Sequence, residues 1–201
     1  MRILFVCTGN VCRSAIAERL ATTWAREMLA HSPEADMVEI GSAGLSAVAG
    51  RPIDPHSAAA LVELGGNPAG FRSREFTREL AEDADLVLTM TRDQRRTVLE
   101  STPHGLRRTF TLTEAADLLQ RADLTGLAFL PLTQRARELG RRLDAARAGR
   151  TRADGDDIAD PIGQDEAVHR AVADRVATAL RQLADVLFTS VRSDLPAPVP
   201  V

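Results

Sequence analysis

"FVCTGNVCRSA", residues 5–15, decides the reading of this chain, because it joins an apolar run to the start of a helical pattern. Residues 2–7, "RILFVC", are rich in strand-formers and end at Thr8-Gly9-Asn10, which predicts a buried strand. From Ser14, "SAIAERLATTWAREMLA" places Ile16, Leu20, Trp24 and Met28 on one helical face, with Ser14 as the expected N-cap. Both cysteines of the chain, Cys7 and Cys12, stand in the connection, and Arg13-Ser14 follows them.

Working outward, strand and helix patterns alternate. "DMVEIGSAG" reads as a second strand, and "DPHSAAALVELGG" as a helix that begins at Asp-Pro and stops at Gly65-Gly66. "ADLVLTM", residues 84–90, is a third buried strand, and a helix opens at Thr91. "RRTFTL", residues 107–112, is a weaker fourth strand. Helical stretches over 113–121 and 131–148 come next, then the charged loop "RTRADGDDIADPIG" and a last helix over 164–188. Such alternation predicts an α/β, three-layer fold with a parallel sheet covered on both faces. Ligands of such sheets bind beyond the carboxyl ends of the strands, where the opening stretch stands. The expected organisation is one domain over 1–190, with 113–150 as a helical insertion and 191–201, Pro-rich, as a disordered tail.

Composition narrows the function. A formal charge of −3 and scattered charges argue against nucleic acid as a partner. No apolar run approaches the roughly 18 residues of a membrane span, and no signal segment is evident, so a cytoplasmic chain is expected. All 25 basic residues are Arg, which excludes any Lys nucleophile or Schiff base. His31, His56, His104 and His169 show no ligand spacing with one another or with Cys; neither a metal nor another cofactor is expected.

The loop itself suggests phosphate chemistry. A curl between strand and helix turns its backbone N–H groups onto one point in front of a helix N-terminus, an anion cradle. Gly9 is the residue expected to take the positive φ of a tight curl. Arg13 can clamp an oxyanion with two parallel hydrogen bonds. A thiol aimed at a helix N-terminus beside a guanidinium ionises more readily than a free one, so Cys7 is expected to attack a bound phosphate as thiolate. Breaking a phosphate ester also needs a proton for the departing oxygen. "DDIADPIG" offers Asp156, Asp157 and Asp160, and only Asp160 precedes a proline that restrains its backbone.

These residues carry a resemblance. "VCTGNVCRSA" resembles the N-terminal signature of the low-molecular-weight protein tyrosine phosphatases, and the chain is identified as a bacterial, actinobacterial-like member. The resemblance implies a flavodoxin-like fold with four parallel strands and an extra helical segment before the acid loop. It assigns Cys7 as phosphate-accepting nucleophile, Arg13 as clamp and Asp160, braced by Pro161, as general acid and base. Thr8, Gly9, Asn10, Val11, Cys12 and Ser14 are the implied phosphate-binding loop. Within it Asn10 holds the loop shape and Ser14 supports the sulfur. Ser42, before Ala43-Gly44, is implied to join the network.

The implied substrate is a phosphorylated protein, phosphotyrosine foremost, with inorganic phosphate or sulfate held in the loop and the chain a monomer or weak homodimer. Alternatives are a phosphatase of a small phosphorylated metabolite, an arsenate reductase-like enzyme and a non-catalytic phosphate-binding module. Ile162-Gly163 stands where many members carry aromatics, which favours the metabolite, and Phe71 aligns with a His that supports the network in some relatives. Cys12 is open to two readings, a partner for Cys7 in an oxidative disulfide or a packed loop residue.

Overall fold

The computed structural model describes residues 1–150 and 154–189. Four parallel strands, β1 (Arg2–Cys7), β2 (Glu39–Gly44), β3 (Leu86–Thr89) and β4 (Thr109–Thr111), form one sheet in the order β2-β1-β3-β4. The expected three-layer α/β architecture is therefore present. β1 is central, and its alternating side chains enter two cores. Ile3, Phe5 and Cys7 face the larger core, whereas Leu4 and Val6 face a smaller one with Ala81, Val87 and Val98. That is why "ILFVC" is continuously apolar instead of alternating.

The larger core is closed by α1 (Arg13–Met28), α2 (Pro55–Glu63), α5 (Leu112–Leu119), α6 (Leu132–Ala146) and α7 (Glu166–Leu187). The smaller face carries α3 (Arg78–Asp83) and α4 (Arg92–Ser101). Helix starts follow local chemistry. Asp54 caps α2 by accepting from His56 N at 3.0 Å and Ser57 N at 3.2 Å, with Pro55 in the first turn. Thr91 and Gln94 form a capping box on α4, as Thr111 and Glu114 do on α5.

Three details depart from the sequence reading. The six-residue helix α3, capped by Thr77, is too short to register as a period. β4 keeps only three residues because Pro103–Arg108 winds into a 3-10 turn first. The Arg-rich helix α6 docks by the apolar stripe that its spacing predicts, Leu132, Leu139 and Leu143, but its charged residues are not all solvated, because Arg135 is buried as well. Its guanidinium donates to the carbonyls of Leu187, Thr189, Ala128 and Leu130 at 2.6–3.0 Å, closing the C-terminal end of α7. Three buried leucines at about 1.5–3 kcal/mol each offset the cost of that one charge, whose Nε finds no partner among the described residues. The tail expected at 191–201 lies outside the described residues. Among those described, no helix is long and apolar enough to cross a membrane.

Candidate active site

β1 ends at Cys7 and α1 begins at Arg13, so the loop between them lies at the carboxyl edge of the sheet. The helical ladder starts with Ile16 N donating to Cys12 O at 2.8 Å, which leaves the earlier first-turn N–H groups without helical acceptors. Ser14 is not the N-cap. Cys12 occupies that position without a side-chain cap, and the Ser14 hydroxyl turns to the other cysteine instead, 2.9 Å from Cys7 Sγ. Gly9 does not carry the positive φ either. Asn10 does, at 53°, the left-handed conformation that a short amide tolerates best after glycine.

Asn10 is worth that strain because its side chain organises the site. Its Nδ2 donates to Ser14 Oγ at 2.9 Å and to Ser42 Oγ at 2.7 Å, while Oδ1 accepts from Arg74 N at 2.9 Å. Its own N–H points at Cys7 Sγ, 3.3 Å away. Because Ser14 Oγ accepts from Asn10, its hydrogen is left to donate to the sulfur. Two donors thus converge on Cys7, which is 2% exposed.

Behind Asn10 the network runs to residues that sequence reading did not assign. Ser42 donates to Glu18 Oε2 at 2.7 Å, and Arg74 Nε donates to Ser42 O at 2.7 Å. Burial pushes the Glu18 carboxyl above its ordinary range, opposed by the Ser42 hydrogen bond and the nearby Arg74. Gln94 reaches Thr8 Oγ1 at 3.1 Å. Phe71, in the place of the supporting His, is buried, and the Arg74 backbone serves Asn10. A Cβ at Gly44 would lie 2.5 Å from Thr8 O and 2.9 Å from Asn10 N, so only glycine lets β2 approach the loop. The motif Ser-Ala-Gly after a strand was the available signal.

The acid loop meets this site through Arg13. One guanidinium nitrogen donates to Ile158 O at 3.1 Å, and another is paired with Asp160 Oδ2. Arg13 Nε is buried and finds no acceptor among the described residues, as is true of Arg108 Nε and Arg135 Nε. Ile158, itself buried, donates to Met90 O at 2.9 Å and plugs the loop into the core. The three carboxylates of "DDIADP" have separate fates. Asp156 pairs with Arg150, Asp157 pairs with Arg92 at 3.1 Å, and only Asp160 faces the loop. Pro161 is buried, and Asp160 Oδ1 accepts from Ile162 N at 3.3 Å, which holds the carboxyl forward.

Cys12 has the opposite surroundings from Cys7. Burial pushes its thiol up to about 12 despite a hydrogen bond from Ser57, and Asp54, Cys7 and Asp160 add to the rise. Both sulfurs are free thiols.

A parallel sheet whose first strand delivers a buried cysteine into an arginine-closed anion loop defines a phosphate-handling enzyme class. The sequence model of the low molecular weight phosphotyrosine protein phosphatases matches residues 2–124, and the chain belongs to that family. It is 31% identical to a protein-arginine-phosphatase of Geobacillus stearothermophilus over 94% of this chain and 97% of that one. The solved structure of the arginine phosphatase YwlE from that organism superposes with a TM-score of 0.64 over 92% of each chain. The low molecular weight protein-tyrosine-phosphatase Wzb of Escherichia coli K12 is 36% identical over 44% of this chain and 53% of its own. A YwlE arginine phosphatase mutant solved with a phosphorylated active-site serine is 27% identical, with a TM-score of 0.65, over 97% of this chain and 98% of that one.

Proposed function

We propose that this chain dephosphorylates protein side chains, phosphotyrosine foremost, through a phosphocysteine on Cys7. The observation that carries the reading is the meeting of Asp160 and Arg13 beside a sulfur held by two donors. Phosphate oxygens take the N–H groups of the loop residues Thr8, Gly9, Val11 and Cys12 together with the Arg13 guanidinium, including its otherwise unused Nε. The Cys7 sulfur attacks phosphorus in line while the ester P–O bond breaks, and Asp160 gives its proton to the departing oxygen. Water then attacks the phosphocysteine, Asp160 takes the water's proton, and the S–P bond breaks to release inorganic phosphate. The Ser14 hydroxyl and the Asn10 N–H receive the charge returning to sulfur. The phosphorylated serine at the active site of the YwlE mutant supports a covalent route.

Two exposed aliphatic side chains stand on segments that are tied to the loop. Ile162, 50% exposed, follows the acid, and Val48, 65% exposed, stands on the segment that follows β2 and hangs from the loop carbonyls of Cys7 and Thr8. Phosphoarginine is the second reading, favoured by the near-complete alignment with a protein-arginine-phosphatase. Side-by-side kcat/KM values on a phosphotyrosine peptide, a phosphoarginine peptide and a sugar phosphate separate the classes. Tyrosine selectivity supports the first reading, arginine selectivity replaces it with the second, and sugar-phosphate preference removes both.

A further inference from the structure

Behind the loop stands a group of side chains for which the phosphate chemistry has no use. Cys12 comes from the loop, Asp54 from the cap of α2, and His169 from the first turns of α7. One donor atom from each, a sulfur, a carboxylate oxygen and a ring nitrogen, lies within 4.8 Å of the other two. Cys12 is 4% exposed and His169 1%, and Asp54 is partly buried. Ser57 lies among them, 2.8 Å from His169 Nδ1. The combination resembles a Ser-His-Asp relay, but a relay needs serine on one ring nitrogen and carboxylate on the other. Here Ser57 Oγ and Asp54 Oδ1 both approach Nδ1, the latter at 3.4 Å.

What the trio does match is the donor set of a borderline-soft cation: thiolate, imidazole and carboxylate. Tetrahedral bonds of about 2.0–2.3 Å set neighbouring donors about 3.3–3.8 Å apart. The His169–Asp54 spacing of 3.4 Å already fits, and the remaining ones need a closure of about 1 Å or so at most. Charge also balances, since one thiolate and one carboxylate neutralise a buried dication. On the solvent side the exposed His56 ring stands 5.4 Å from the His169 ring, so a fourth donor or a water can complete the shell.

We propose that this chain binds a zinc-class divalent cation through Cys12, Asp54 and His169, behind the phosphate loop and separate from Cys7. The metal–sulfur bond forms as the Cys12 thiol releases its proton to solvent. The Ser57 hydroxyl then donates to the bound sulfur from the outer sphere. Occupancy adds a bridge between the phosphate loop, α2 and α7, elements already tied there by Asp54 N donating to Val11 O at 2.9 Å and by the 2.8 Å Ser57–His169 hydrogen bond.

The test is titration of chelator-treated full-length protein with Co2+, an optical substitute for zinc, followed by displacement with Zn2+. A thiolate-to-cobalt charge-transfer band is expected in the wild type and undiminished in Cys7→Ser. Cys12→Ser loses the band, and His169→Phe, which keeps a ring of similar volume on α7, weakens Co2+ binding by at least about 10- to 100-fold. The cation also raises the melting temperature of the wild type and of Cys7→Ser, and of neither ligand variant. Metal-free melting curves establish that each variant is folded; if one is not, the other decides. Absence of a band, a band lost only in Cys7→Ser, or binding indifferent to both Cys12→Ser and His169→Phe overturns the proposal.

Discussion

The front and back of one loop use the same residue type in opposite ways. On the front, Cys7 receives the Ser14 hydroxyl and the Asn10 N–H, and an arginine with an unsatisfied nitrogen closes the cradle. On the back, Cys12 lies with a serine, a carboxylate and a histidine, and burial holds its thiol in the protonated form. Five positions separate the two sulfurs, yet one meets two donors of the loop and the other a serine beside a carboxylate and a histidine. The difference teaches that a cysteine's role is set by which dipoles point at it, and burial alone does not distinguish the two.

The largest expected effect breaks the comparison if it fails. Cys7→Ser should lose more than about 10^4-fold in kcat on an aryl phosphate, because the nucleophile acts in every step. Cys12→Ser should lose no more than about tenfold, the worth of one buried hydrogen bond. Equal losses in steady-state assays would erase the distinction between front and back. Next in size, Asp160→Ala should slow turnover by about 10^2–10^4 on substrates with poor leaving groups and far less on activated aryl phosphates. A loss independent of leaving-group acidity would remove Asp160 from the acid role and leave it only as the partner of Arg13.

The back of the loop is sharpened by alkaline unfolding. The folded state holds the Cys12 proton up to about pH 12, whereas the unfolded chain releases it near 9.0. Rising pH between those values therefore draws protons from the unfolded state, and stability falls, by at most about 4 kcal/mol. The chain has no Lys and no Tyr, so the window holds few other groups, and a Cys7→Ser background removes the second thiol from it. Denaturant midpoints from pH 8 to 11 should fall in the wild type and flatten in Cys12→Ser.

The smallest effect tests the far end of the front network. Burial raises the Glu18 carboxyl, so its charge opposes folding at neutral pH. Glu18→Gln keeps an acceptor for the Ser42 hydroxyl and should gain up to about 1 kcal/mol at pH 7. The gain should vanish below pH 4, where the wild-type carboxyl is protonated. A variant less stable at pH 7 would mean that Arg74 and Arg19 outweigh the burial cost.

Much of the front was legible because its logic is local. Cys7, Asn10, Arg13 and Ser14 occupy one strand-to-helix turn, and spacing along seven or eight residues is enough to aim them. Even so, the assignment of details inside the turn slipped. The positive φ belongs to Asn10 instead of Gly9, since the Asn side chain has three partners to hold it there, and Ser14 leaves its cap position for the sulfur. Asp160 was distinguishable from Asp156 and Asp157 by the proline after it. The arginine partners of the other two, Arg150 and Arg92, come from separate segments.

By itself, the sequence determined the sheet and the loop in which Cys7 and Arg13 meet, because strand and helix periods dictate where neighbouring residues point. Only the tertiary structure decided that Cys12, Asp54, Ser57 and His169 meet. They are brought together by the packing of α2 and α7 against α1, and no spacing along the chain records which helix faces will touch once crossovers have closed. The same packing carried Arg74 and Glu18 to Ser42, completing a hydrogen-bond chain whose members are distant in sequence and adjacent in space.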